Sequence, residues 1–189
     1  MERISLSPDL AVSRQPVFAD ADDRSNAGAP RAFGPRDLRG AFGRFATGLT
    51  VVTAASEDGP VGITANSFSS VSLDPPLVLW SIARSSRRFD AFARARFQAI
   101  HILGADQMDL CRRFFRDGRD FSGLDARQGI GSVPLIDGAL ARLECEIVRR
   151  VDCGDHLILI GEVCAMETAD GEPLVFSAGR YGTVAAFVS

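Results

Sequence analysis

Thr64, Asn66 and Ser67 open the stretch TANSFSSVSLDPPLVLW, which runs from Thr64 to Trp80. Their side chains are too short for long-range electrostatics, but they and the backbone beside them can approach a flat polar ligand closely. They follow the segment PVGIT, in which Gly62 lets another group come near the chain, and Asn66 offers donors and acceptors in one plane. A planar ring with alternating N–H and C=O edges would fit there. A serine-rich loop satisfying its own turns, with Asp74-Pro75-Pro76 as a plain bend, fits as well. On the residues alone the two readings are even.

Ser85-Ser86-Arg87-Arg88 is the second place with chemistry in it. A serine just ahead of an apolar-periodic segment is a helix N-cap, and a helix start presents free backbone N–H groups at the positive end of its dipole. Guanidinium groups added there make an anion site suited to phosphate. Alone, the segment reads more simply as a capped surface helix with two solvated arginines. Of the two histidines, His156 heads the apolar run HLILIGEV beside Asp155, and His101 sits inside FQAIHIL as a barrel histidine with a local hydrogen bond. Trp80 and Phe114 read as core.

What is missing narrows the chemistry further. All 21 basic residues are arginine, so a Schiff-base lysine and a phosphate loop of the Walker A kind are excluded. Cys111, Cys145, Cys153 and Cys164 form no C-x-x-C pair, and no Cys/His cluster has zinc-ligand spacing, so no metal site is expected. The net charge of -3, with arginines scattered among acids, argues against a nucleic-acid surface. No apolar run reaches the ~18 residues of a membrane span. Free thiols in a reducing cytoplasm are the expected state.

These residues need elements to hold them. Residues 1–34 carry no sustained period and read as a flexible N-terminal extension, neither signal nor transit peptide. From Pro35, PRDLRGAFGRFA spaces Leu38, Phe42 and Phe45 as a short amphipathic helix with Pro35 in its first turn. Strands follow at LTVVTAA, PVGIT, LVLWSIA, FQAIHIL, ARLECEIVRRV and HLILIGEV, with Asp58-Gly59 as a hairpin turn between the first two. Helices interrupt at RRFDAFARA, near Phe89, and at ADQMDLCRRFF, from Ala105. Short turns between six or so strands predict an antiparallel barrel in one domain, residues 35–189.

Taken in order, FGRFATGLTVVTA, PVGITANSFSSVSLDPPLVLWSIARSSRRFDAF, GADQ, GALARLECEIVRRVDCGDHLILIGEV and LVFSAGRYG resemble the short-chain flavin reductase family. These are the reductase components of two-component flavin-dependent monooxygenases, and the likeness runs from about Pro35 to Gly182. It implies a mainly β, FMN-binding split barrel: a Greek-key antiparallel barrel with flanking helices, forming a homodimer. By the same resemblance, Pro60, Val61, Gly62, Ile63 and Thr64, with Asn66 and Ser67, edge the isoalloxazine ring. Ser81, Ile82 and Ala83 lie under the flavin, Arg87 and Arg88 face its phosphate and ribityl chain, and Arg113 with Phe114 adds a contact. Asp155 and His156, with Arg180 and Tyr181, correspond to the nicotinamide side, and His156 is the one candidate catalytic residue.

Three departures from the family pattern stand out. Arg88 replaces a frequent serine, Arg142 replaces a frequent aromatic, and FSAGRYG lacks a glycine often found before GRY. The implied reaction is hydride transfer from NADH or NADPH to FMN or FAD, with reduced flavin released by diffusion to a separate oxygenase. Such chemistry resides in the flavin and asks the protein only for position, which suits a chain poor in nucleophiles and bases. Two other readings stay open: a split-barrel flavin-binding protein without turnover, and a related oxidase acting on a pyridoxine-like phosphate.

Overall fold

The computed structural model describes residues 33–185. The N-terminal extension therefore lies outside the described residues except for its last two positions. The N-terminal unit ends at Leu38, within helix α1 (Pro35–Phe42), whose first turn carries Asp37 accepting from the Gly34 N–H at 2.8 Å. The predicted helix is present but ends at Phe42, so Phe45 lies past it, and it buries none of its residues.

From Arg39 onward the chain is built on one antiparallel sheet. In chain order the elements are β1 (Thr47–Gly48), β2 (Thr50–Ser56), β3 (Gly59–Ala65), β4 (Ser69–Leu73), β5 (Pro76–Ala83), α2 (Phe89–Arg94) and β6 (Phe97–Ile102). Then come α3 (Met108–Arg116), β7 (Arg127–Gln128), β8 (Pro134–Leu135), β9 (Ala141–Cys153), β10 (His156–Thr168), β11 (Val175–Ser177) and β12 (Arg180–Gly182). The large sheet has the order β3-β2-β6-β9-β10-β5-β4, and β1, β11 and β12 form a small sheet beside it. Strand β5 lies next to β10 although β6 follows it in sequence, a crossover spanned by α2.

Burial explains both the strand patterns and the curl of the sheet. In β5, Val78, Trp80 and Ile82 alternate inward and meet Val52, Val61, Ile100, Ile147 and Leu159 in one cluster. A single cluster drawn from β3 at one edge through to β5 near the other requires the sheet to wrap around it, as in a split barrel. Strand β2 has no alternation because both of its faces are covered. Val52 enters the barrel cluster, while Val51 joins Leu49, Leu103, Cys111 and Phe114 beneath α3. The Trp80 indole donates to Gln98 Oε1 at 2.9 Å, so its polar edge is satisfied inside.

His101 is fully buried, with Nδ1 3.0 Å from the Val51 carbonyl and Nε2 accepting from the Ile136 N–H at 3.0 Å. The barrel histidine with a local bond is therefore present, and its two partners fix the neutral ring. Burial pulls its pKa down to about 4. Arg142 is also buried and is tied to Asp137 and Glu167, an interior charge held by two carboxylates.

The sequence reading differs from the structure at several elements. The serine-rich segment contains a strand, β4, not only a loop, and FSAGRYG forms the hairpin β11–β12. Strands β9 and β10 each extend to 13 residues, with register shifts at Ile160/Gly161 and Val163/Ala165. Helix α2 begins later than the serines imply: its N-cap is Arg88, without a side-chain cap bond. The Ser86 hydroxyl instead accepts from the Arg88 N–H at 3.2 Å, closing a turn before the helix.

Candidate functional site

Two strand ends are left open where the barrel splits. Strand β3 is the edge of the large sheet, and its Gly62 N–H points away from β2 to reach the Gly118 carbonyl at 2.8 Å. By strand alternation the Thr64 N–H and C=O point the same way. They have no backbone partner among the described residues. Strand β5 pairs with β4 only as far as Leu79, so Ser81, Ile82 and Ala83 continue past the end of β4. Ser67 bridges the two ends: its hydroxyl donates to the Ser81 carbonyl and accepts from the Ser81 N–H, both at 3.0 Å.

Further contacts close a ring around these edges. The Thr64 hydroxyl donates to the Cys111 carbonyl at 2.6 Å, fastening β3 to α3. The Asn66 amide donates to Thr47 Oγ1 at 3.3 Å, and its carbonyl oxygen has no partner among the described residues. Beyond Ala83, Arg88 reaches back to the Phe115 carbonyl at 3.4 Å, while Arg87 is exposed. A Cβ on Gly118 would lie 2.3 Å from Arg88 Nε and 2.6 Å from the Gly62 carbonyl, so Arg88 crosses the chain beside Gly62. Burial lowers the pKa of this guanidinium, with Asp117 opposing.

Gly62 does allow a close approach, but the group that approaches is protein. A Cβ there would sit 2.5 Å from two carbons of the Phe114 ring, which is fully buried and packs edge-on to Phe121 at 4.9 Å. Phe114, Val61 and Ile82 turn their side chains into the core, so only their backbone faces a ligand. Pro60 and Asn66 are exposed, and Ile63, Thr64, Ser67, Ser81 and Ala83 are half-buried.

At this same end of β5, His156 stands opposite Ala83, and the Arg84 N–H donates to the Asp155 carbonyl at 2.9 Å. His156 Nδ1 lies 2.7 Å from Asp155 Oδ1, the strand-end pairing the sequence allows. This bond holds the Asp155 carboxyl below its ordinary range. With Nδ1–H donated to the carboxylate, Nε2 is the atom left to meet a ligand.

Arg113, Arg180 and Tyr181 belong to a different neighbourhood. Tyr181 and Arg113 line a cavity of about 580 Å3 with Asp109, Arg112, Phe115, Arg116 and Asp120. Arg113 donates to the Ser122 carbonyl at 2.6 Å, and the Tyr181 ring packs against Phe176 at 5.2 Å. The small sheet joins this cavity to the open edges, because Asn66 touches β1 and β1 pairs through β11 to β12. Sequence reasoning missed Arg112, Phe115 and Arg116, although the four-residue spacing of the two arginines in ADQMDLCRRFFR puts them on one helix face.

Other chemistries lack their groups. No set of three or more potential metal ligands occurs among the described residues. Burial pushes the Cys145 thiol up to about 12 and raises that of Cys111, leaving both as poor nucleophiles. No described helix is long and apolar enough to cross a membrane.

Fold and site together define a flavin-handling split barrel. The family described as "Flavin reductase like domain" matches residues 42–185, and the chain belongs to it. It is 54% identical over 147 residues to FMN reductase (NADH) SmoA of Agrobacterium fabrum, covering 78% of this chain and 84% of that protein. It is 47% identical over 152 residues to the reductase component of flavin-dependent trigonelline monooxygenase from Acinetobacter baylyi. That match covers 79% of this chain but about half (49%) of the relative's length. Among solved structures, Streptomyces globisporus C-1027 NADH:FAD oxidoreductase SgcE6, in complex with NAD and FAD fragments, superposes with a TM-score of 0.75. There the identity is 40%, with 82% of this chain and 98% of that one covered.

Proposed function

We propose that this chain is an NADH-dependent flavin reductase that supplies reduced flavin to a separate monooxygenase component. The observation that carries the site assignment is the open edge of β3 at Thr64, tied through Ser67 to the end of β5 at Ser81 and flanked by Arg87 and Arg88. The Thr64 N–H and C=O, without a backbone partner among the described residues, suit the alternating polar rim of an isoalloxazine ring, while Ser67 holds the backbone of Ser81 in place beside them. The names of the relatives favour turnover over passive flavin binding, and the relative at 54% identity favours FMN with NADH.

A bound flavin would supply the hydride-accepting chemistry, and the protein's task would be to place it against the nicotinamide. The Thr64 backbone and the free Asn66 carbonyl hold the polar edge of the ring. Ser81 to Ala83 support it, and Arg87 takes the phosphate. His156, oriented by Asp155, presents Nε2 to the nicotinamide carboxamide and fixes its position. Tyr181 and Arg113 contribute from the neighbouring cavity.

The active form is a homodimer in the cytoplasm. Leu73 on the edge strand β4 is 96% exposed, and Phe42 and Phe45 are exposed as well, apolar side chains that a second copy could cover. The catalytic domain spans residues 35–189, and reduced flavin leaves by diffusion. The deciding experiment is NADH oxidation by the purified chain with FMN, with FAD and with neither. Flavin-dependent turnover is expected, producing hydrogen peroxide in air and no hydroxylated product. Tight flavin binding without turnover would return the protein to the passive reading.

A further inference from the structure

The cavity on α3 holds more positive charge than a flavin ring needs. Arg112, Arg113 and Arg116 line it against Asp109 and Asp120, in a chain whose overall charge is -3. Its carboxylates neutralise the arginines only loosely. The Arg112–Asp109 and Arg113–Asp120 contacts are both 3.9 Å, and Arg116 makes no salt bridge among the described residues. Arg112 and Arg116, four apart on one helix, face the same opening, a spacing that suits two adjoining phosphates better than one.

The remaining walls are aromatic and half free. Phe115 is 70% exposed, which no core role explains, and Tyr181 is 43% exposed with one face against Phe176. Two exposed rings beside a guanidinium cluster recognise a planar base next to its phosphates. A volume of about 580 Å3 fits a ligand of that size. The cavity also adjoins the proposed flavin edge. Thr64 is bonded to the Cys111 carbonyl one residue before Arg112, and Phe114 packs on Gly62 one residue before Phe115.

We infer that this face of α3 binds the adenosine diphosphate moiety of a dinucleotide, with Arg112 and Arg116 on the diphosphate and Phe115 and Tyr181 on the adenine. The inference rests on the flavin reductase reading and adds specificity to it: α3 decides how well the protein uses a dinucleotide rather than a mononucleotide. Both NADH and FAD carry this moiety, and the chemistry of the cavity serves either.

The test combines direct binding with two kinetic ratios, using the full chain and the variant carrying Arg112→Gln and Arg116→Gln. Both side chains are exposed, so the fold should survive the change. ADP titrated calorimetrically into the wild type should bind, and the variant should bind it about tenfold or more weakly. With FMN as acceptor, a fall in kcat/KM for NADH relative to reduced nicotinamide mononucleotide assigns the moiety to NADH. With the reduced mononucleotide as donor, a fall for FAD relative to FMN assigns it to FAD. Phe115→Ala should remove the preference for ADP over inorganic diphosphate. ADP that fails to bind the wild type, binds both proteins equally, or leaves both ratios unmoved overturns the inference. Absence of FMN-dependent NADH oxidation would instead strike the reductase reading and leave the ADP result standing.

Discussion

Acid should unfold this protein by a route that passes through one buried ring. His101 has an ordinary value near 6.5, and burial pulls it to about 4 in the fold. The group is neutral in both states at pH 8. As pH falls through the unfolded value, the unfolded chain takes up a proton that the native ring refuses, so stability is lost from about pH 6.5 until the folded ring itself protonates near pH 4. About 2.5 units at 1.36 kcal/mol each make a loss of about 3 kcal/mol, of which about 2 falls between pH 7 and 5. The carboxylates held low, Asp120, Asp137 and Asp155, also stabilise the fold only above their unfolded values, and that contribution is lost at lower pH. The intermediate window is therefore dominated by the histidine. Urea titrations at fixed protein concentration, every half unit from pH 8 to 4.5, should show this slope. His101→Gln, whose amide can donate to Val51 and accept from Ile136, should flatten it. A His101 imidazole resonance titrating near 6.5, or an unchanged slope in His101→Gln, would refute the reasoning.

Three substitutions probe the site. Gly62→Ala should cost about 1–3 kcal/mol in denaturant titrations, because its Cβ meets the buried Phe114 ring at 2.5 Å; a neutral result would mean α3 shifts freely. Arg87→Ala should weaken FMN binding about tenfold by fluorescence titration with little change in stability, as expected for an exposed charge facing a phosphate; an unchanged dissociation constant returns Arg87 to solvent. His156→Ala should raise KM for NADH while FMN affinity holds, and equal damage to both would point to a structural role instead.

The strands were legible where burial is one-sided or complete. LVLWSIA alternates because Val78, Trp80 and Ile82 face the barrel, and TVVTAAS shows no alternation, its Val51 and Val52 entering clusters on opposite faces. SSVSL was not legible as a strand: β4 buries none of its five residues, and it pairs on one side only. A strand whose side chains stay in solvent leaves too little apolar pattern to read, here only Val71 and Leu73, both exposed. Arg112, Phe115 and Arg116 escaped for a related reason, since exposed residues on a helix read as a solvated face until the opposing wall, here Tyr181 from β12, is in place. The family motifs pointed to Arg87, Asp155 and His156, yet only the register of β5 against β10 sets His156 opposite Ala83.

The serine- and threonine-rich run has a division of labour that composition could not disclose. Thr64 and Ser67 give their hydroxyls to the protein itself, one to α3 and one to β5. Those bonds fix the β3 edge against α3 and the loop after it against β5, and what is left exposed is the backbone of Thr64. Recognition through backbone is indifferent to side-chain identity but intolerant of movement. Replacing Thr64 should therefore harm flavin binding by releasing α3 rather than by removing a ligand contact. Thr64→Ser, which keeps the 2.6 Å bond to the Cys111 carbonyl, should retain FMN affinity, and Thr64→Val, which nearly preserves the shape, should lose it. If instead Thr64→Ser loses affinity and Thr64→Val retains it, the methyl group touches the flavin directly and the hydroxyl's structural role is secondary.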